Sequence, residues 1–295
     1  MTGNDNGLFL AVELDGLGES PRQLRESVAA AESAGFTIVT FGDAVAPGSG
    51  DENRIDAGTR AAFVASATTS IGLAPTVHTL TTEPFFLATQ LASLDHASHG
   101  RGAWVVGADN RTEAHEAVGS TVREPDSITQ EVRDVIEVSR RLWDSWEDDA
   151  VIRDAATGRY LDPDKVHHVR FEGEFFNVVG PLITPRSPQG QIVVIGDAAL
   201  GVTDLLDIVL VDEVQAADAL VFVNASVSED VSRLAGAVAG VRFQPTSAEE
   251  LRVLLEETVP ALAAAGLLRR PTRGLSLREN LGLDRPVSRY AAANN

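Results

Sequence analysis

The histidines are the first side chains in this sequence whose chemistry could serve catalysis or metal binding. His78 directly follows an apolar run, 71–77, that predicts a buried strand, and the carboxyl ends of such strands carry the functional groups of many α/β folds. We therefore take His78 as the candidate catalytic residue, with a structural role as the alternative. His96 and His99 lie near a predicted helix end, but a closed metal site needs three or four converging ligands, so we predict no metal site.

A glycine pair and an acid in the first 43 residues mimic part of a dinucleotide-binding fingerprint. Gly16 and Gly18 follow the first predicted strand, and Asp43 ends the second, where an acid would hold a ribose. Pro21 stands where the third glycine belongs, and Glu19 would repel a phosphate. We therefore favour a different α/β fold over an open nucleotide-binding sheet.

Other reactive groups are absent or poorly placed. The chain contains no cysteine, which excludes disulfides, thiolate nucleophiles and cysteine-ligated metals. Lys165 is the only lysine, and its polar surroundings offer nothing to lower its pKa for Schiff-base chemistry. The acids in 143–149 are adjacent in sequence at a helix end, an arrangement that does not suit a pair of glycosidase carboxylates.

The composition limits the partners and the location of the chain. The 295 residues carry a formal net charge of −19, so nucleic acid and anionic membranes are poor partners. No apolar run approaches the length that a membrane span requires, and the first residues lack a signal-peptide pattern. We expect a cytoplasmic protein that acts on a small molecule.

The elements that must position these residues alternate between short apolar strands and amphipathic helices, which indicates parallel strands joined by helices. Eight strands are predicted, the number that a closed (β/α) barrel needs. They lie at 8–12, 37–41, 71–77, 104–106, 192–195, 207–211, 219–223 and 241–243. The main helices are predicted after Ser20 and Pro84 and over 55–66, 128–146 and 247–265. We predict one TIM-type barrel domain over residues 1–295.

Two regions depart from the regular alternation. The segment 147–190 has no long periodic stretch, but its aromatic residues indicate that it is packed, and we predict a lid over the C-terminal mouth of the barrel. The links between the fifth, sixth and seventh strands are too short for ordinary crossover helices, so we predict reduced helices on that flank. A C-terminal tail is expected over 267–295.

Several separate segments, in order, resemble the luciferase-like flavin-dependent monooxygenases. The "LDHASHGRGAW" run at 94–104 resembles the signature of the branch that includes nitrilotriacetate, alkanesulfonate and dibenzothiophene-sulfone monooxygenases. Further matching segments are 140–146, 162–166, 171–176, 180–182, 185–190, 277–283 and 289–290. The resemblance implies a (β/α) barrel, in agreement with the strand count.

The resemblance also implies a cofactor and a reaction. Members of this family use reduced FMN, supplied by a separate NAD(P)H-dependent flavin reductase, to oxidise a small organic substrate with O2. Asp43, Thr76 and Trp104 match family positions near the flavin and are taken as cofactor-binding residues. With His78, we expect them to line one pocket at the mouth of the barrel. We expect a homodimer.

Three positions differ from the family pattern. Val105 stands where the family usually has an amide side chain, and Thr129 stands where a tyrosine helps to hold the phosphate. The phosphate-binding turn after the fifth strand reads Gly-Asp-Ala-Ala-Leu, and its Asp197 places a carboxylate where the phosphate belongs.

Two hypotheses therefore stand. The chain is an FMN-dependent monooxygenase with an altered phosphate site, or it is a luciferase-like barrel that has lost flavin binding and serves as a binding or partner subunit. We predict that the isolated chain binds FMN weakly or not at all, and absence of binding would favour the second hypothesis.

Overall fold

The computed structural model describes residues 7–14, 20–46 and 55–291. Its strands are β1 (Phe9–Glu13), β2 (Ile38–Phe41), β3 (Gly72–His78), β4 (Ala103–Gly107), β5 (Val151–Asp154), β6 (Arg159–Leu161), β7 (Phe171–Glu172), β8 (Asn177–Val178), β9 (Val193–Asp197), β10 (Ile208–Val211), β11 (Leu220–Ala225) and β12 (Gly240–Phe243). Its α-helices are α1 (Pro21–Ala34), α2 (Ala57–Ala65), α3 (Pro84–Ala97), α4 (Thr112–Val118), α5 (Pro125–Asp144), α6 (Ala248–Val253), α7 (Val259–Ala264) and α8 (Leu277–Leu281).

Eight of these strands close into a parallel barrel in the order β1-β2-β3-β4-β9-β10-β11-β12, with β12 pairing back onto β1. The predicted barrel and its eight strands are confirmed. The nucleotide-binding alternative is wrong as a fold, because the sheet is closed and leaves no open edge. Gly16 and Gly18 lie outside the described residues.

The first helix shows how local sequence sets the element boundaries. The Ser20 hydroxyl accepts from the backbone N–H of Gln23, and the Gln23 side-chain oxygen accepts from the backbone N–H of Ser20. These two hydrogen bonds form a capping box. Pro21 occupies the first helical turn, where its missing N–H costs nothing. Gly35 ends the helix at φ 104°, in the left-handed region that glycine tolerates.

The barrel interior is filled by side chains that alternate with outward-facing ones along each strand. An inner cluster includes Phe9, Ile195 and Phe222, and the rings of Phe9 and Phe222 lie parallel with centroids 6.5 Å apart. Gly240 is required beside them, since a Cβ there would lie 2.6 Å from the Phe222 ring. At the N-terminal end, Leu277 of α8 packs against Gly72 and plugs the barrel.

The flank after β9 lacks crossover helices, as predicted. Two single 3-10 turns, Ala198–Leu200 and Thr203–Leu205, lead from β9 to β10. Residues 212–219 contain no helix, and a 3-10 turn, Ser232–Leu234, leads from β11 to β12.

The predicted lid is in the wrong place. The segment 147–190 leaves α5 at the N-terminal end of the barrel, because a crossover helix runs antiparallel to the strands. Trp146 donates to the carbonyl of Leu182 at 2.8 Å, and Gln189 donates at 2.7 Å to the carbonyl of Gly102, the residue directly before β4. The aromatic residues that suggested a lid pack along α5. Phe171 lies 5.2 Å from the guanidinium of Arg141 on this helix, and Phe175 lies 5.3 Å from that of Arg123, which lies just before it.

The residues of the family signature form the N-terminal face. Asp95 is fully buried and accepts hydrogen bonds from Gly102 N (2.8 Å), Gln189 Nε2 (2.6 Å) and the Ser187 hydroxyl. The buried Arg101 donates to three backbone carbonyls, of Ala65, Thr68 and Ile71, and to the Thr68 hydroxyl. Burial raises the pKa of Asp95 and lowers that of Arg101.

We expect Asp95→Asn to change the free energy of unfolding by no more than about 1 kcal/mol, whereas Asp95→Ala costs about 2–4 kcal/mol. Asparagine keeps one oxygen for Gly102 and Gln189, and its amide can donate to the Ser187 hydroxyl. Alanine removes the acceptor of three buried donors, of which Gln189 Nε2 keeps a second acceptor in the Gly102 carbonyl. Urea denaturation of both variants measures the difference, and equal losses would contradict this account.

Asp95→Asn should also flatten part of the pH dependence of stability. Because the folded state has the higher Asp95 pKa, it binds this proton more tightly than the unfolded state. The resulting stabilisation is full at low pH. It is lost as the pH rises from the unfolded-state value, 3.8, through the raised folded-state pKa.

Candidate active site

The C-terminal mouth of the barrel is lined by polar side chains at inward positions of the strands. Glu13 ends β1 and Thr40 lies beside it on β2, in register. Arg242 on β12 is in register with Ala11, and Asn224 on β11 is in register with Arg242. These groups lie above the apolar inner cluster and form a continuous polar band across four neighbouring strands.

A buried ion pair between Glu13 and Arg242 is the centre of this band. The two side chains are 9% and 11% exposed, so the pair is largely withdrawn from water. Thr40 donates to Glu13 at 2.7 Å and accepts from Arg242 Nε at 3.2 Å. Burial lowers the pKa of Arg242 to about 10, which still leaves the guanidinium charged at neutral pH.

The polar band continues from Arg242 through Asn224 to the carboxylate of Asp212. Arg242 Nη1 donates to Asn224 Oδ1 at 3.2 Å, and Asn224 Nδ2 donates to Asp212 at 3.0 Å. Asp197, at the end of β9, is exposed and faces the same end of the barrel. Neither Asp197 nor Asp212 has an ion-pair partner within the described part of the chain.

Thr76 is the predicted cofactor residue that the mouth best accommodates. It lies on β3 in register with Val105 of the inner cluster, and it is half-buried. Within residues 7–14, 20–46 and 55–291, its hydroxyl has no hydrogen-bond partner. It is therefore a donor available to a ligand in the mouth.

His78 lies at the mouth but both of its ring nitrogens are engaged. Nδ1 accepts from the backbone N–H of Asp109 at 3.2 Å, so the proton belongs on Nε2, which lies 3.2 Å from the carbonyl oxygen of Asp43. Gly107 is needed there, since a Cβ would lie 2.4 Å from Nδ1. The geometry supports a bridging role between the ends of β2 and β4 more than proton transfer to a substrate.

Asp43 is also near the mouth, and backbone groups occupy its carboxylate. Its two oxygens accept from Ala44 N at 2.9 Å and Ala57 N at 2.6 Å. It thereby ties the end of β2 to the first residue of α2. Its role toward a cofactor stays a prediction.

Trp104 does not line the mouth, so the prediction that four residues share one pocket is wrong for this residue. Ala103 and Val105 face the barrel interior, and alternation along β4 turns Trp104 outward. It is fully buried between the sheet and the helices, where its Nε1 donates to the carbonyl of Val77 at 3.0 Å.

The sequence contained an unused signal for the ion pair. Arg242 interrupts the apolar run 241–243, and Glu13 directly follows the apolar run 8–12. Each falls at the inward phase of its strand, and a charge in that phase must be paired. Which acid pairs with which base depends on β12 closing onto β1, which local sequence does not reveal.

Comparison with known proteins agrees with this architecture. The sequence model of the luciferase-like monooxygenase family matches residues 6–276. The chain belongs to this family. The assignment made from the sequence signature is thereby confirmed, and relatives in the family are named as monooxygenases.

Two relatives and one solved structure illustrate the range of similarity. The luciferase-like chain is 35% identical over 276 residues to one subunit of the pristinamycin IIA synthase of Streptomyces pristinaespiralis, covering 91% of each chain. It is 42% identical over 139 residues to N-acetyl-S-(2-succino)cysteine monooxygenase from Bacillus subtilis (strain 168), covering 47% of this chain and 32% of that relative. The structure of a riboflavin lyase shares the fold, with a TM-score of 0.80, 21% identity and coverage of 96% of this chain and 98% of that one.

The first of these matches spans the relative nearly end to end, whereas the second spans about a third of it. In the described part of the chain, no helix combines the length and apolarity that crossing a bilayer requires. The same residues contain no group of three or more His, Cys, Asp and Glu side chains arranged to hold a metal ion.

We expect Arg242→Met to cost about 3–5 kcal/mol of stability, because it leaves the buried Glu13 carboxylate without its cation. The double variant Glu13→Leu/Arg242→Met should recover most of this loss, since it removes both charges together. Urea denaturation of the two single variants and the double variant gives the coupling energy. Additive losses in the double variant would show that the two charges do not interact.

His78→Ala should loosen the loops that its ring connects and leave the N-terminal face unchanged. Losing one hydrogen bond at each nitrogen, about 1 kcal/mol apiece, should speed local amide exchange about fivefold to tenfold. Hydrogen–deuterium exchange of peptides containing Asp43 and Asp109 tests this, with the segment 185–191 as an internal reference. Unchanged exchange at both loops would argue against the bridging role.

Proposed function

We propose that this chain is one barrel of a flavin-dependent monooxygenase and that it works together with a second luciferase-like barrel. The enzyme would use reduced FMN from a separate NAD(P)H-dependent reductase, with O2, to oxidise a small organic substrate. One observation carries the two-barrel assignment. A relative whose sequence matches nearly the whole chain is named as one subunit of a synthase, whereas the sequence match to N-acetyl-S-(2-succino)cysteine monooxygenase, named without a subunit, covers under half of this chain.

The surface of α2 and α3 supports a partner barrel. These neighbouring helices pack together, with Gly58 of α2 against the side chain of Gln90 on α3. Two large apolar side chains are exposed on them, Phe63 at 48% and Phe86 at 58%. Their other exposed side chains include alanine and serine.

Neither helix carries an exposed acid between its ends, although the chain has 43 acidic residues in 295. Asp95 is the only acid within the two helices, and it is fully buried. Exposed acids are confined to the two N-cap positions, Asp56 and Glu83, so most of this surface carries no negative charge. Large apolar side chains on such a surface of a strongly acidic chain are typical of an interface. The α2–α3 face is therefore our candidate for the contact with the second barrel.

A self-sufficient monooxygenase is the second candidate. The observation that favours it is the free hydroxyl of Thr76 in a mouth that is lined by polar groups. Under this candidate, the chain would hold its flavin and substrate without a partner barrel.

Purification of the tagged full-length chain from its own cells separates the two candidates. The two-barrel proposal expects a second luciferase-like chain, identified by mass spectrometry, in equal amount, and flavin absorbance in the complex. A chain that purifies without a second barrel and carries one flavin per chain would overturn the two-barrel proposal and favour the second candidate.

The double variant Phe63→Glu/Phe86→Glu should weaken the association with the second barrel at least about tenfold, because it places charge in the apolar centre of the interface. Val287→Glu is the matched control, since Val287 is 77% exposed on the C-terminal tail. Light scattering of the co-expressed chains measures the complex. Equal loss of complex in both variants, or no loss in either, would rule out the α2–α3 face.

A further inference from the structure

We infer that the turn after β9 is closed by the chain's own carboxylate, Asp197, and that this chain therefore does not hold a flavin phosphate there. The inference deepens the proposed function, on which it rests for the identity of the cofactor. It concerns the turn 196–201, where the family resemblance places the phosphate-binding segment.

The turn is already satisfied from within. Asp197 is the N-cap of the 3-10 turn Ala198–Leu200, and its Oδ1 accepts from Ala199 N at 2.7 Å. A bound phosphate would need this N–H group, and it would meet the negative charge that now caps it. The 3-10 turn has only three residues, so it also lacks the aligned peptide dipoles that a longer helix would contribute.

The hydroxyl of α5 that contacts the turn is already engaged. Thr129 on α5 donates to the carbonyl of Leu200 at 3.3 Å. Gly201 follows directly, and a Cβ on it would lie 3.4 Å from the Thr129 methyl group. The turn therefore contacts α5 through Thr129.

The charges of the mouth also disfavour an anion. Arg242 is the cation of the polar band, and Glu13 neutralises it. Asp197 and Asp212 lie at the ends of the adjacent strands β9 and β10, and neither is paired with a cation among the described residues. A flavin phosphate entering on this side would meet two negative charges and no available positive one.

The groups present at this turn do not fit the phosphate of FMN. In an assembly of two barrels, the partner barrel would then have to supply the phosphate contacts. This explains how a member of a flavin-dependent family can carry a carboxylate in its phosphate turn.

Fluorescence titration of the isolated full-length chain with FMN and riboflavin tests the inference, since the two flavins differ only in the phosphate. We expect FMN to bind no tighter than riboflavin, or neither flavin to bind at its highest soluble concentration. FMN binding about tenfold or more tighter than riboflavin would overturn the inference, because it would show that the phosphate is held.

Two variants assign the cause. Asp197→Asn removes the charge and keeps a side-chain cap on the turn, whereas Asp197→Gly removes both. We expect FMN affinity to rise about tenfold in Asp197→Gly and less in Asp197→Asn, with riboflavin changed by less than about threefold. Glu213→Gln is the control, since Glu213 is an exposed carboxylate after the neighbouring strand β10 and does not cap the turn 196–201. If FMN affinity rises in neither Asp197 variant, the role given to Asp197 is wrong.

The outcomes separate this inference from the proposed function. A chain that binds FMN tightly through its phosphate, and still purifies with a second barrel, would overturn the inference alone. A chain that purifies without a second barrel and also fails to hold the phosphate would overturn the two-barrel proposal alone.

Discussion

The structure depends on one constraint, which is that a closed parallel barrel has an interior with no access to water along its length. Every second residue of each strand must enter that interior, so an apolar residue is required there unless a charge meets its counter-charge. Glu13 and Arg242 satisfy this condition across the seam where β12 closes onto β1. Their pairing fixes the upper limit of the apolar core, and the polar mouth begins at that level. The ion pair adds little net stability, because the cost of removing both charges from water offsets much of their attraction. Its main effect is to fix where the apolar core ends and the polar mouth begins.

The opposite end of the barrel is held by buried carboxylates that each meet several donors. Asp144 accepts from Arg186 and Gln191, and Asp207 accepts from Arg278 and Arg140. Together with Asp95, these acids join α3, α5, α8, the inserted segment and the start of β10. Much of the sequence resemblance to the family falls on this face. The segments that resemble the family therefore indicate how the N-terminal end of the barrel is packed. They say little about the chemistry at the C-terminal mouth.

The sequence predicted the features that local patterning controls. Alternating apolar runs gave the eight strands, Ser20 and Gly35 bounded α1, and the short links predicted a flank without helices. Local patterning could not predict where the segment 147–190 lies, because its aromatic residues indicate that it is packed but not which surface it packs against. The family match predicts Trp104 near the cofactor, but alternation along β4 directs this side chain outward, away from the mouth. The Glu13–Arg242 pair joins residues 229 positions apart, and only the closure of the barrel brings them together.

The two ends of the barrel thus support different conclusions about function. The N-terminal face contains the residues of the family signature, and the match to the family model places this chain among the luciferase-like monooxygenases. At the mouth, His78 and Asp43 bind backbone groups, Asp197 caps its own turn, and Arg242 is neutralised, so the polar groups are largely committed to the protein itself. On our proposal, such a barrel acts together with a partner barrel and not as an isolated cofactor site. On our proposal, the apolar side chains exposed on α2 and α3 form the surface by which this barrel associates with its partner.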